Sequence, residues 1–382
     1  MLAAPVVAPG VHLVLGPLAV GVVVGIATLW CAVYVKVGTH YDSKRRVLLV
    51  GGGPLTNVLF HLAGLANKSN VTIVGMLNEE IGWDDETRLA GTDSASGALT
   101  PTGSQEPMVI GCQGLSDFVA AYGVNEIVLA NPGNPPKKCL AQLTRCYESG
   151  IRVSTMPQLY EELSGRVPVE QFDATWLGAF PLAPAGGRVY ATAKRFFDIL
   201  ASVMVLIVTA PLLALVALAV RISSPGPVLF RQLRVGLNGE HFYLLKFRTM
   251  SADAGRWGAR VGDTFDRAKI TPVGKWLRRL YLDELPQLFL VLTGHMSLVG
   301  PRPMRAEPAV ELEETVPLWR AKYSVRPGVT GLGQIGFGYA WDANDEMERL
   351  KYDLYYVRHR SLALDTRIIL RTVIRVVKLS GN

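Results

Sequence analysis

Apolar residues arrive along this chain in three patterns, and each predicts a different element. From Val11 to Val35 no charge occurs and His12 is the one strongly polar side chain, a run long enough to cross a bilayer as a helix. A second long run spans Ile199 to Val220. Between them the runs are short: Val47–Val50, Val71–Gly75 and Glu126–Ala130 read as strands, while Val58, Leu59, Leu62 and Leu65 keep helical spacing. Strands alternating with helices predict a parallel α/β domain over residues 45–165.

The flanks orient the two long runs. Trp30 and Tyr34 sit where an interfacial aromatic belt would, and Lys36, Lys44, Arg45 and Arg46 follow. Residues 1–44 therefore predict a transmembrane helix at about 11–35 with its N-terminus outside and the rest of the chain cytoplasmic. A cleaved signal peptide would need a basic start and a shorter apolar core. The second run has Lys194 and Arg195 before it, Arg221, Arg231 and Arg234 after it, and Pro211 at its middle. Two readings stand: a re-entrant helix over 194–221 that breaks at Ala210-Pro211 and returns to the same side, or a spanning helix with a proline kink. Residues 166–190, rich in Pro and Gly (Pro168, Pro181, Pro184, Gly186, Gly187), read as a linker.

Downstream, Val228–Phe230 predicts a short strand, and Lys246-Phe247-Arg248-Thr249-Met250 follows an apolar patch. Val273–Leu282 has helical spacing with Lys275, Arg278 and Arg279 on it, and Leu285, Leu288, Phe289 and Leu292 resume that spacing. Asp283-Glu284 then lies at a helix start or within one continuous helix. Neighbours on a helix point about 100° apart, so the two carboxylates can hold separate jobs. Flanking arginines suit phosphate, because a guanidinium meets its oxygens two at a time; a solvated helix start capped by Asp283 is the bland alternative. The glycine-dense turn Arg326-Pro327-Gly328-Val329-Thr330-Gly331, running on to Gln334, could bring backbone N–H groups to phosphate, or be merely a loop. Asp365–Leu379 predicts a basic amphipathic helix, for a membrane surface or for packing on its own domain.

Charge sharpens this picture. The net charge of +7 divides into −3 for residues 1–190 and +10 for residues 191–382, and the mean hydropathy is +0.24. A basic second half implies an acidic partner. Its basic residues interleave with membrane-length apolar runs, which argues against nucleic acid. Cys31, Cys112, Cys139 and Cys146 show no metal or redox spacing and read as reduced structural thiols. Gly51 and Gly53 match the first glycines of a dinucleotide turn, but Thr56 stands at the third position and only Asn78 or Glu79 could meet a ribose. That turn reads as Rossmann-like and structural, regulatory or dimerising; an NAD-dependent nucleotide-sugar-modifying enzyme and a non-catalytic membrane scaffold are the competing functions.

The constellation of residues 191–382 resembles the bacterial sugar transferases, the monotopic phosphoglycosyl transferases. The matching stretches are Lys194-Arg195-Phe196-Phe197-Asp198, the Pro211 break, Lys246–Met250, Leu282-Asp283-Glu284-Leu285-Pro286-Gln287, Met296–Pro303, Arg326–Gly331 and Asp353-Leu354-Tyr355-Tyr356-Val357. The α/β domain resembles that of larger members. The resemblance implies transfer of a sugar 1-phosphate from a UDP-sugar to polyprenyl phosphate at the cytoplasmic face of the bacterial inner membrane. It implies Asp283 as nucleophile through a phospho-aspartyl intermediate, Glu284 in metal binding or proton handling, and Mg²⁺ held at Asp283 and Glu284. Lys246, Arg302 and Arg326 would clamp phosphate, joined by Arg278 and Arg279, with Arg248 and Gln334 also in the substrate-binding set. It also favours the re-entrant helix. Leu332-Gly333 departs from the tryptophan or alanine that many relatives carry after Thr-Gly, which bears on the donor pocket. A homodimer through the α/β domain is a further expectation.

Overall fold

The computed structural model describes residues 45–51, 71–77, 115–130, 137–169, 187–251, 269–316, 318–338, 340 and 342–378. The first predicted spanning helix, the glycine turn beyond Gly51 and linker residues 170–186 lie outside the described residues. The chain divides into two compact units, one of Ser43–Ala183 with Leu350–Tyr355, the other of Pro184–Arg349 with the residues from Tyr356 onward.

In the first unit β1 (Arg45–Val50), β2 (Val71–Leu77), β3 (Glu126–Leu129) and β4 (Arg152–Thr155) form a sheet in the order β2-β1-β3-β4, all pairs parallel. The helices are α1 (Leu115–Ala121), α2 (Lys137–Glu148) and α3 (Met156–Ser164). Alternate residues of a strand face opposite ways, and β1 uses both faces. Leu48 and Val50 pack with Phe118, Val119 and Leu143, while Val47 and Leu49 pack with Met156, Leu159 and Tyr160. Helices cover both sides of the sheet, as parallel strands require. The sequence pattern missed β4, whose side chains are exposed or half-buried and include one aliphatic residue, Val153. Val167 and Val169 are buried and the Val167 amide donates to the Lys351 carbonyl at 3.0 Å. The start of the predicted linker is thus packed structure. Cys139 is disulfide-bonded, which corrects the reading of four reduced thiols: pairing depends on Cβ proximity in space, which sequence spacing does not report. Cys146 is free and buried.

The second unit begins with α4 (Gly187–Ser223), 37 residues long, about 55 Å of helix. It is long and apolar enough to cross a membrane. It absorbs the end of the predicted linker, and Pro211 lies inside it. The expected break at Ala210-Pro211 is therefore a proline within helical backbone, where one N–H bond is lost and a kink is favoured. Ile207, Val208, Leu215 and Leu218 near its middle are exposed. Its two ends hold to this unit. Asp198 accepts from the Ser297 hydroxyl at 2.7 Å and from the Leu298 amide at 3.2 Å, and Val216 and Val220 pack against Phe247 and Leu277.

After α4 come the antiparallel hairpin β5 (Leu229–Val235) and β6 (His241–Phe247), then α5 (Pro272–Arg279), a 3-10 turn at Leu282–Glu284, and α6 (Gln287–Thr293). β7 (Ser297–Val299) pairs in parallel with β8 (Gly328–Thr330), with α7 (Ala306–Thr315) between them. α8 (Leu332–Gly336), α9 (Ala343–His359) and α10 (Leu362–Val377) follow. Helix α10 packs on its own unit along one face and leaves another exposed. Ile368 is fully buried while Ile369, Val373 and Ile374 are exposed, and Arg375 donates to the Gln334 carbonyl at 2.7 Å.

Candidate active site

The carboxylate pair sits where helix α5 is forced to end. Leu280 leaves the helical conformation, and Tyr281 takes the left-handed region at φ 56°, unusual for a bulky residue without a glycine's freedom and a form of strain that concentrates at functional sites. The chain then makes one 3-10 turn through Asp283 and Glu284 before α6 starts behind Pro286. The pair therefore lies in a bend between two helices. It is not inside a continuous helix, and neither carboxylate caps the helix that follows.

Strand β6 and its extension give each residue of Lys246–Thr249 a different task. The Lys246 ammonium lies 2.5 Å from Glu284 Oε1. Phe247 packs against Val216, Val220 and Leu277. The Arg248 guanidinium is buried and donates to the carbonyls of Pro227 at 2.6 Å and Ser224 at 2.6 Å. It closes the end of α4, so the expectation that Arg248 binds substrate phosphate is corrected. Thr249 accepts from Arg278 Nε at 2.8 Å, and its carbonyl fills the space a side chain would need at Gly274, 2.1 Å from an added Cβ.

Around this strand the other cations sort themselves. Arg302 Nη2 stands 3.7 Å from Glu284 Oε1, and Arg278 acts electrostatically on Asp283. Arg279 is exposed and lies over the Trp276 ring, 5.8 Å from its centroid. The exposed Arg326 donates from Nε to the Gly294 carbonyl at 2.8 Å, at the C-terminal end of α6. Gln334 donates to the Val329 carbonyl at 3.3 Å. The structure thus brings Lys246, Arg278 and Arg302 to the carboxylates and leaves Arg248, Arg279, Arg326 and Gln334 with other partners. Sequence reading took Arg234 on β5 for a flank of the second apolar run and not for a site residue, yet it acts on Glu284 together with Arg302; a lone arginine in a strand carries no signal of its partner.

The glycine-dense turn has a structural explanation. Gly300 donates to the Thr330 carbonyl at 3.0 Å and Gly328 to the Pro301 carbonyl at 2.9 Å. A Cβ on Gly328 would lie 2.1 Å from Gly300 N, and one on Gly331 would lie 2.1 Å from Gly300 O. These glycines let two backbones touch, which fixes the Pro301-Arg302-Pro303 turn. The Gly300 and Gly328 amides are used there.

The two carboxylates are shifted in opposite directions. Burial pushes Asp283, 8 % exposed, up to about 6; Lys246 and Arg278 oppose that rise and the Glu284 charge adds to it. For Glu284 burial also acts upward, but Lys246, Arg302 and Arg234 together outweigh it and draw it down to about 2. Two neighbouring acids with separated pKa values are the usual arrangement where each has its own role. Among the described residues no cluster of three or more His, Cys, Asp or Glu side chains could hold a metal. Magnesium asks less, one or two carboxylates completed by phosphate oxygens and water, and Asp283 with Glu284 fits that donor set.

The chain is 38 % identical over 231 residues to a UDP-N-acetylgalactosamine-undecaprenyl-phosphate N-acetylgalactosaminephosphotransferase of Aeromonas hydrophila, covering 60 % of this chain and 53 % of that protein. It is 40 % identical over 234 residues to an undecaprenyl-phosphate glucose phosphotransferase of Komagataeibacter xylinus, covering 59 % of this chain and 43 % of that protein. The chain thus spans about half the length of these relatives. With the exopolysaccharide production protein PSS of Rhizobium leguminosarum it is 43 % identical over 187 residues, 47 % of this chain and 93 % of that protein. The sequence model of the bacterial sugar transferases matches residues 189–379, the stretch that carries α4, the hairpin and the Asp283-Glu284 bend. The chain belongs to the bacterial sugar transferase family.

Proposed function

We propose that this protein transfers a sugar 1-phosphate from a UDP-sugar to polyprenyl phosphate, with Asp283 as nucleophile. The observation that carries the reading is the divided pair: a buried, weakly acidic Asp283 beside a Glu284 kept anionic by Lys246 and Arg302. A carboxylate oxygen of Asp283 attacks the sugar-bearing phosphorus, the bond from that phosphorus to the bridging oxygen breaks, and UMP leaves with the electron pair. A phosphate oxygen of the lipid then attacks the aspartyl phosphorus and Asp283 departs as carboxylate, giving a polyprenyl diphosphate sugar. Two displacements let a soluble donor and a lipid acceptor use one site in turn. Lys246 and Arg278 offset the repulsion between carboxylate and phosphate, and Arg302, beside Glu284, stabilises charge on the leaving phosphate. A magnesium ion at Asp283 and Glu284 would neutralise charge on the donor diphosphate.

The same reading sets the protein on the cytoplasmic face of the bacterial inner membrane. Both ends of α4 hold to one unit while its exposed middle is apolar, which supports a helix that enters and leaves on one side, kinked within its helical backbone at Pro211. We infer that the parallel α/β unit is Rossmann-like and serves regulation or dimerisation. The test is to supply membranes containing the protein with polyprenyl phosphate and a panel of UDP-sugars. The reading predicts a lipid-linked sugar diphosphate from at least one donor; a lipid-linked sugar monophosphate, or none, contradicts it.

A further inference from the structure

We propose that Arg234 is a positioning residue for this reaction: by gripping the Pro301-Arg302-Pro303 turn it holds the Arg302 guanidinium beside Glu284. The inference rests on the transferase reading above. In the hairpin, Arg234 stands opposite Phe242 and Phe230 opposite Lys246. Residues directly opposite, and residues two apart, share a face. Phe230, Gln232, Arg234, Phe242, Leu244 and Lys246 therefore lie on one face, which is exposed at Phe230 and turned inward where Phe242 and Leu244 are buried. Two cations rise from that face, and both act on Glu284.

Arg234 is tied to the turn by its side chain, and its strand is tied to the two residues that follow the turn by backbone. Its Nη1 donates to the Pro303 carbonyl at 2.8 Å, the next residue's amide donates to the Met304 carbonyl at 2.9 Å, and Arg234 bridges Arg305 through the backbone. Its Nη2 donates to Gln232 Oε1 at 2.6 Å, which fixes the plane of the fork. Its Nε is buried without a hydrogen-bond partner. Arg302 and Arg305 repel this guanidinium, and Glu284 and Glu346 are the acids that offset them. A half-buried cation among cations is a poor choice for mere packing, where an apolar side chain of similar volume would serve. Its value lies in the rigid planar fork, which a lysine cannot reproduce.

The test is a double-mutant cycle on the full chain in membranes, with Arg234→Met, Arg302→Met and the pair, read by the KM for the UDP-sugar in UMP release and by the Kd for UDP. If Arg234 acts through Arg302, each single variant weakens both constants about tenfold and the pair weakens them by the same tenfold. A merely structural Arg234 would lower the active fraction and leave KM and Kd unchanged, which overturns the proposal, as does a hundredfold loss in the pair. Should Arg234→Met fail to accumulate, Arg234→Lys carries the cycle, because it keeps the charge and loses the fork. Absence of UMP release from the unmodified protein with every donor would sink the transferase reading, and the cycle is then read on UDP alone. An unmodified protein that binds no UDP overturns both.

Discussion

Lys246 Nζ lies 2.5 Å from Glu284 Oε1, and neither side chain is more than a fifth exposed. The pair joins a strand to the bend between two helices, so the charge that neutralises Glu284 also fixes the carboxylate next to it. Removing the ammonium leaves Glu284 with Arg302 and Arg234 and deprives Asp283 of its strongest counter-charge. Lys246→Met is expected to slow UMP release by about 10²–10³, measured at saturating donor, with the protein still present in membranes at normal level.

The pH profile of UMP release follows from Asp283. Its carboxyl must be ionised to attack, and its pKa stands at about 6. The rate is expected to be flat above that value and to fall about tenfold per pH unit below it. A profile level down to pH 4.5 would mean that an ordinary, solvated carboxylate does the work.

Stability moves the other way. Folding raises Asp283 from 3.8 to about 6, so the fold favours its protonated form. The associated stability is full below pH 3.8 and is lost as pH rises through about 6. At pH 8 the buried charge costs about 3 kcal/mol. Asp283→Asn is therefore expected to raise the thermal midpoint of the detergent-solubilised protein at pH 8, with the gain shrinking as pH falls toward 4. An equal gain at both pH values would place its origin elsewhere than in this carboxylate.

How much of this was legible in the sequence depends on the kind of residue. Strands β1 to β3 announced themselves, because strands buried on both faces read as unbroken apolar runs. Asp283 and Glu284 were legible as chemistry, since adjacent acids between arginines imply a purpose; Lys246 and Arg302 entered through the family resemblance. The division of the cations was not: Arg248 and Lys246 are two residues apart on one stretch, yet one closes a helix end and the other meets Glu284. Alternation gives a face, but not what waits there. Arg234 was hidden for the same reason, and the Tyr281 bend because no glycine or proline marks it.

Gly328 offers a structural prediction. An added Cβ would lie 2.1 Å from Gly300 N and 2.3 Å from Thr330 O, both backbone atoms that cannot step aside. Gly328→Ala is expected to destabilise the protein by about 2–4 kcal/mol. The measure is the half-life of activity at elevated temperature, since membrane proteins of this size seldom unfold reversibly. A half-life equal to that of the unmodified protein would mean the two turns separate freely.

The central claim, that Asp283 carries the sugar phosphate covalently, is tested most directly without the lipid acceptor. Membrane-embedded protein and its Asp283→Asn variant are incubated with Mg²⁺ and a panel of UDP-sugars, and UMP release is followed alongside intact mass. The account predicts one equivalent of UMP and a sugar-phosphate mass adduct in the unmodified protein, with neither in the variant. UMP release from both proteins would contradict it and move the nucleophile away from Asp283.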